Sequence, residues 1–338
     1  MNEKSRDYYF DNAKFILIFF VVLGHCIRPF TSSNDILYSF YGWIYFFHMP
    51  AFILISGYFA KNFKKKGHYK KLVIKLLVPY VLFEIFYSWF AIFLTDKKLD
   101  LSFSTPYWLM WFLLSLFFWH ILLWVITNFR HPFILAILIA VLAGYFDDFS
   151  KEYSLLRTFT FFPFFLAGYL LTKQHFNYLK SLPIKITSVC FLIGLFVYIH
   201  VFHNISLRWL WSSRPYSYYG FDGLEAAYVR LFYFLVMFIA CTAFFSLVTI
   251  KKTFFSHLGI YTLYTYLLHG FFVRMFLYKQ PILEEVDSLS DFAIIVLFVA
   301  TLCVLTTLPY VRKLTFVLVE PYSLWAKLKE IRKQKRRH

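Results

Sequence analysis

Acidic residues are scarce in this chain: 18 Asp and Glu stand against 35 Lys and Arg in 338 residues, a net charge of +17. Several common signatures are absent altogether. There is no Walker sequence and no GxGxxG, so neither ATP nor a dinucleotide is indicated. No GxSxG occurs, which disfavours a serine hydrolase built on a nucleophile elbow. The four cysteines, Cys26, Cys190, Cys241 and Cys303, lie in apolar runs without a CxxC pair. That spacing removes disulfide and zinc readings, leaves the cysteines as packing residues, and gives no reason to expect a metal. No linker, repeat or low-complexity block interrupts the chain. The N-terminus shows no short apolar region followed by small residues at a cleavage site, so the first apolar segment reads as a retained helix.

What fills the chain instead is apolar and aromatic. The hydrophobic fraction is 60%, with 46 Phe, 26 Tyr and 9 Trp. A soluble domain of this size exposes too much surface for that balance, so the expected class is an all-α polytopic membrane protein. Stretches of the length that crosses ~30 Å of hydrocarbon recur. We place about ten transmembrane helices near 13–30, 38–60, 72–94, 107–127, 132–146, 157–172, 183–203, 229–250, 258–278 and 292–311, the fifth and sixth being short. The whole chain, 1–338, reads as one integral-membrane domain with a basic tail over about 312–338.

The positive charge alternates with the spans. If the N-terminus is cytoplasmic, segments 1–12, 61–71, 128–131, 173–185, 251–257 and the tail from 312 hold 23 Lys and Arg, and the opposite segments hold 8. Twelve acidic residues, among them Asp147, Asp148, Glu284, Glu285 and Asp287, fall on the opposite side. This is the positive-inside asymmetry, and it predicts a multi-pass protein of the cell membrane with both termini cytoplasmic. The tail KLKEIRKQKRRH then lies against anionic lipid, and nucleic acid is not an expected partner. The inner loop KNFKKKGHYKK is either a solvated charge run or an attractor for an anionic cytoplasmic ligand. The long outer segment 203–228, rich in Trp, Tyr and Arg, reads as an ordered cap or as an interfacial aromatic belt.

Ionisable groups inside apolar spans are functional candidates by default. His25 and His48 occupy consecutive spans. Lys14 and His25, eleven residues apart, fall on nearly the same helix face, with Asp11 close to it, so one stripe carries Asp11 and Lys14 at the inner mouth and His25 about 16 Å further in. Lys14 alone would also suit snorkelling to the interface. Glu84 and His269 come out at similar mid-membrane depths, while His120 lies deeper toward the inner side. Each histidine has a bland alternative, satisfaction by a neighbouring carbonyl or hydroxyl. Four such groups from four spans make a shared cavity the stronger reading for His25 and His48, and Gly24, Ser56 and Gly57 suit close helix approach around it.

These segments resemble a known family. RDYYFDNAKFILIFFVVLGH is similar to the first-span motif of the acyltransferase-3 family, with an acidic residue, a basic residue and a histidine eleven later. FFHMPAFILISGYF, WLMWFLLSLFF and LGIYTLYTYLLHGFF resemble its second, fourth and late spans, and the nearest subgroup contains fucose 4-O-acetylases and surface-polysaccharide O-acyltransferases. The resemblance implies ten spans and transfer of an acyl group from cytoplasmic acetyl-CoA, or another acyl-CoA, to a hydroxyl of an extracytoplasmic cell-surface glycan. His25 would be the catalytic histidine. Lys14 stands where many members have arginine, so bidentate phosphate recognition becomes a point-charge contact. Only a short basic tail follows the last span, so the chain is expected to complete the transfer itself or to hand the acyl group to a separate protein, for example a polysaccharide-synthesis partner.

A thioester acceptor reaction needs a base for the incoming hydroxyl, and a positioned imidazole typically contributes ~10²–10⁴-fold. The expected assignment is His25 as base or transient acyl carrier, oriented by His48 or Glu84. Asp11, Lys14 and nearby inner-loop lysines would hold the CoA end, and Arg208, Trp211, Arg214 and His269 the acceptor. A succinyl donor is an alternative within this chemistry. A transporter or glycan exporter is the alternative outside it, disfavoured because Pro50, Pro79 and Pro163 do not fall into matching halves.

Overall fold

The computed structural model describes residues 7–65, 67–95, 101–150, 152–203, 206–276, 285–326 and 329. Its described residues form helices joined by turns and loops, with no strand among them, and seven helical stretches are long and apolar enough to cross a membrane: Tyr8–Ser32, Asp35–Tyr58, His68–Leu94, Trp108–Ile126, Leu182–Phe202, Leu224–Leu247 and Leu289–Thr307. Three of the ten expected spans are shorter helices, Pro132–Ala143, Leu155–Leu170 and Thr262–Arg274.

Helix α1 (Tyr8–Ile27) is the centre of the bundle. It is mostly apolar, and thirteen of its twenty residues are buried, as expected of a helix packed against several neighbours. It packs against α2 (Asp35–Tyr45), α3 (His48–Tyr58), α13 (Thr262–Arg274) and α14 (Leu289–Thr307). Its N-terminal end is pinned by Asn12, whose side-chain nitrogen donates to the Thr249 and Lys251 carbonyls at 2.9 Å each. Its oxygen accepts from Thr253 at 3.0 Å and Ser256 at 2.6 Å. Just outside the membrane-spanning part, Asp7 pairs with Lys173 at 3.0 Å, and the carboxylate holds that amine above its ordinary range.

The periphery has the opposite pattern. Along α10 (Leu182–Phe202) only Ser188, Leu192, Leu195 and Ile199 are buried, a single stripe at helical spacing. Leu182, Ile193 and Val201 on the other faces are 69%, 59% and 63% exposed. Contiguous exposed apolar side chains on helices of this length mark a multi-pass membrane protein, where lipid covers what water would not. Of the cysteines, Cys26, Cys241 and Cys303 are buried packing residues, whereas Cys190 is exposed on this outward face of α10.

With no hydrophobic gain from joining helices in lipid, association relies on small residues and interhelical hydrogen bonds. Helices α3 and α8 (Leu155–Leu170) approach until a Cβ on Gly57 would strike the Phe165 carbonyl and one on Gly168 the Leu54 carbonyl. Hydroxyl pairs link other helices. Ser115 on α6 (Trp111–Ile126) meets Thr158 on α8 at 2.7 Å, Thr265 on α13 meets Thr306 on α14 at 2.9 Å, and Ser246 on α12 (Leu224–Leu247) donates to Ser188 on α10 at 2.8 Å.

Three expectations need adjustment. The second apolar segment is not one continuous helix: α2 ends at Tyr45 and α3 begins at His48, so His48 opens a helix instead of sitting in the middle of one. The tenth breaks before Pro309, whose ring fits the first turn of a new helix, α15 (Pro309–Val319), so the tail region from 312 begins inside a helix. The lysine-rich segment 61–71 is more than a solvated run. It runs into the short helix α4 (His68–Leu72), followed by one π-helical turn at Val73–Leu77 and then α5 (Val78–Thr95).

Candidate active site

Two cavities lie along α1, one near each end of the Lys14–His25 stripe. The first, about 250 Å³, is lined by His25, Arg28, Tyr41, Tyr45, His48, Trp108, Trp111, Arg157 and Trp211, with Val21, Met49, Phe161 and Leu210. The second, about 470 Å³, is lined by Lys14, Ser56, Asn62, His68, Lys71, Lys75 and His120 among apolar residues that include Phe52, Phe112 and Tyr266. At 1.5 Å per residue, Lys14 of the second cavity and His25 of the first are about 16 Å apart along the helix.

The break between α2 and α3 accounts for His48. Its Nδ1 lies 2.8 Å from the Ile44 carbonyl. A carbonyl only accepts, so Nδ1 carries a proton and in the neutral ring Nε2 keeps the lone pair. The ring packs edge-on against Tyr45, centroids 4.3 Å apart. His269 is held the same way, Nδ1 at 2.9 Å from the Thr265 carbonyl, and its ring stacks on that of His25 with centroids 5.5 Å apart. His120 repeats the arrangement with Leu116 at 2.8 Å, but in the second cavity.

Glu84 reaches His25 through an intermediary. Its Oε1 accepts the Tyr107 N–H at 2.7 Å, and its Oε2 is buried without a hydrogen-bond partner among the described residues. The next residue, Trp108, has φ +40°, a left-handed backbone that is strained for a bulky side chain. Trp108 packs edge-on against His25, centroids 4.6 Å apart. Arg274 closes the assembly, donating to the Tyr107 hydroxyl with its guanidinium 4.7 Å from the Trp108 ring centroid. Glu84 therefore belongs to the clamp on the Tyr107–Trp108 turn and is not among the cavity-lining side chains.

Asp11 and Lys14 form an ion pair of 2.9 Å at the second cavity. The loop histidine His68 lies there against His120, ring centroids 5.6 Å apart. Three lysines and two histidines thus surround an opening with no Asp or Glu among its described lining residues, a fit for a polyanion.

Segment 203–228 is an ordered cap over its described residues, 203 and 206–228. Trp209 stacks between Tyr219 and Tyr233, and the buried Arg230 donates to the Trp209 carbonyl at 3.1 Å and to Ser212 at 3.0 Å. Of the expected acceptor residues, Trp211 enters the His25 cavity, donating its indole N–H to the Tyr41 hydroxyl at 3.0 Å. Arg208 and Arg214 do not line it; both lie against Tyr218. Sequence reasoning passed over Arg28, Arg157, Tyr41, Tyr45 and Trp108. In the sequence Arg28 and Arg157 read as charges of the loops beside the spans, and Tyr41, Tyr45 and Trp108 as members of apolar spans; the usable signal is that these residues lie near the same ends of their spans as His25.

The family profile of the acyltransferase-3 family, described as an acyltransferase domain, matches residues 7–308. The chain is similar to the nodulation protein NolL of Mesorhizobium japonicum, 32% identical over 186 residues that cover 50% of this chain and 48% of that protein. It is also similar to the nodulation protein NolL of Sinorhizobium fredii, 38% identical over 82 residues, 22% of each chain. The matches span about half or less of the length of these curated relatives. No solved structure matches.

Proposed function

This chain belongs to the acyltransferase-3 family and is an acyltransferase, and on that premise we propose that it moves a short acyl group from cytoplasmic acyl-CoA to a hydroxyl of an extracytoplasmic glycan. The observation that carries this reading is the pair of cavities along one face of α1, the basic one at Lys14 and the aromatic one at His25. The basic charge distribution supports an orientation with both termini cytoplasmic, ten spans, and the Lys14 cavity facing the cytoplasm.

In this reading Lys14, Lys71 and Lys75 hold the phosphates of the donor in the inner cavity, each as a compact point charge. The thioester extends along α1 toward His25, past the wall where Phe52 and Phe112 meet edge to face with centroids 5.8 Å apart. The acceptor enters the His25 cavity against Trp108, Trp111 and Trp211, whose flat faces suit sugar C–H surfaces. An imidazole nitrogen of His25 takes the acceptor hydroxyl proton as the oxygen attacks the thioester carbonyl carbon. The C–S bond then breaks, and the proton passes to the departing sulfur to give free CoA. His48 and His269 position the His25 ring and the acceptor hydroxyl.

Vesicles carrying the protein in one orientation test the sidedness. Labelled acetyl-CoA supplied to the lysine-rich face should be consumed, with label appearing on glycan at the opposite face. Consumption only from the His25 face would overturn the reading.

A further inference from the structure

We propose that Arg28 and Arg157 form an anion subsite inside the His25 cavity, so that one reaction partner brings a carboxylate or phosphate to that point. This deepens the acyl-transfer reading above and rests on it.

Both guanidinium groups are organised by one residue. The Arg28 guanidinium lies 5.1 Å from the Trp211 ring centroid, and Arg157 Nε donates to the Trp211 carbonyl at 3.3 Å. Arg157 also lies 5.0 Å from the Trp111 centroid, and Arg28 is steadied by a 3.0 Å bond to the Thr31 hydroxyl. These contacts fix direction and supply no negative charge. No Asp or Glu lines the cavity, and no ion pair joins either arginine to a carboxylate among the described residues.

The other cations near the stripe differ. Lys14 has Asp11 at 2.9 Å, and Arg230 is fully enclosed by the cap it holds together. Arg28 and Arg157 instead border open volume between three tryptophans. Two guanidinium groups, both partly buried, line one aromatic-walled chamber without a carboxylate among its lining residues, and an incoming anion would supply the missing counter-charge. The planar fork matches carboxylate and phosphate oxygens with paired hydrogen bonds. Tyr41 and Tyr45, whose rings stack with centroids 4.2 Å apart, add hydroxyls on the same wall.

The anion has two sources. It is a carboxylate or phosphate on the acceptor glycan, or the distal carboxylate of a dicarboxylic acyl group such as succinyl on the donor. The group-transfer step is the same in both.

The experiment uses the full chain in lipid nanodiscs. CoA release is followed with acetyl-CoA and succinyl-CoA, and with glucose, glucuronate or glucose 6-phosphate as acceptor. The variants are Arg28→Gln, Arg157→Gln and the charge-retaining Arg157→Lys. Equilibrium binding of glucuronate and glucose by thermal shift is measured beside turnover. With the anion on the acceptor, glucuronate or glucose 6-phosphate acts at about tenfold lower concentration than glucose. With the anion on the donor, succinyl-CoA exceeds acetyl-CoA by a similar factor. In either arm the preference collapses in the glutamine variants and persists in Arg157→Lys. Equal use of neutral and anionic partners by the wild type overturns the subsite, as does a preference that survives both glutamine substitutions. CoA release that shows no charge preference removes the subsite and leaves the acyl-transfer reading standing. Absence of CoA release from any donor removes that reading, and the binding arm then decides the subsite alone.

Discussion

Trp108 reaches His25 from a left-handed backbone turn, its ring edge-on with centroids 4.6 Å apart, and Glu84 holds that turn by accepting the Tyr107 N–H at 2.7 Å. A strained backbone persists only where its surroundings over-determine it. Glu84→Ala should release the turn, lower kcat about tenfold and leave the KM for acyl-CoA nearly unchanged, because the donor cavity is untouched. Glu84→Gln keeps an acceptor oxygen and should recover most of the rate. Steady-state kinetics on the pair separate this positioning role from simple loss of fold.

The lysines of the second cavity should act on donor binding. Lys71→Ala or Lys75→Ala should raise the KM for acyl-CoA about three- to tenfold with kcat little changed. The effect should shrink in high salt, where exposed charges are screened. Titration of initial rates at two ionic strengths checks both parts.

Phe112 lines the second cavity, edge to face with Phe52 and with Tyr266 at 5.5 Å, and in the proposed reading it borders the route toward His25. Phe112→Ala should widen the passage and raise the rate with butyryl-CoA relative to acetyl-CoA by about tenfold. A competition assay with mixed donors reads the ratio directly. The cost in stability should be about 3–5 kcal/mol if the space stays empty.

Gly57 and Gly168 face the backbone carbonyls of the opposite helix. Gly57→Ala or Gly168→Ala should force α3 and α8 apart and lower the unfolding temperature in detergent, whereas alanine at Gly194, where a Cβ meets open space, should not.

Much of this was legible in the residues. The stripe of Lys14 and His25 follows from helix geometry alone, and of the ten stretches read from hydropathy seven are long apolar helices among the described residues. Placing His48, His269 and Glu84 at a common depth with His25 also names three segments that the structure brings near it: His48 in the same cavity, His269 stacked on its ring, and Glu84 through the Tyr107–Trp108 turn. Depth says nothing about rotation, however, so it could not show that Glu84 faces the Tyr107 amide and not the His25 ring. The turn at Trp108 carries no glycine to announce a positive φ. The break at Phe46–Phe47 likewise lacks a glycine or proline at the break itself; Pro50 sits inside the following first turn, where it is tolerated. Arg28 and Arg157 registered only as outer-segment charges, because composition cannot tell a cation facing water from one facing a chamber.

The central claim is that His25 carries the transfer. Acyl transfer from labelled acetyl-CoA by purified protein in liposomes, wild type beside His25→Ala, tests it most directly. CoA release by the wild type, lost by at least about a hundredfold in a folded His25→Ala protein, is the predicted result. Undiminished release from that variant would contradict the account.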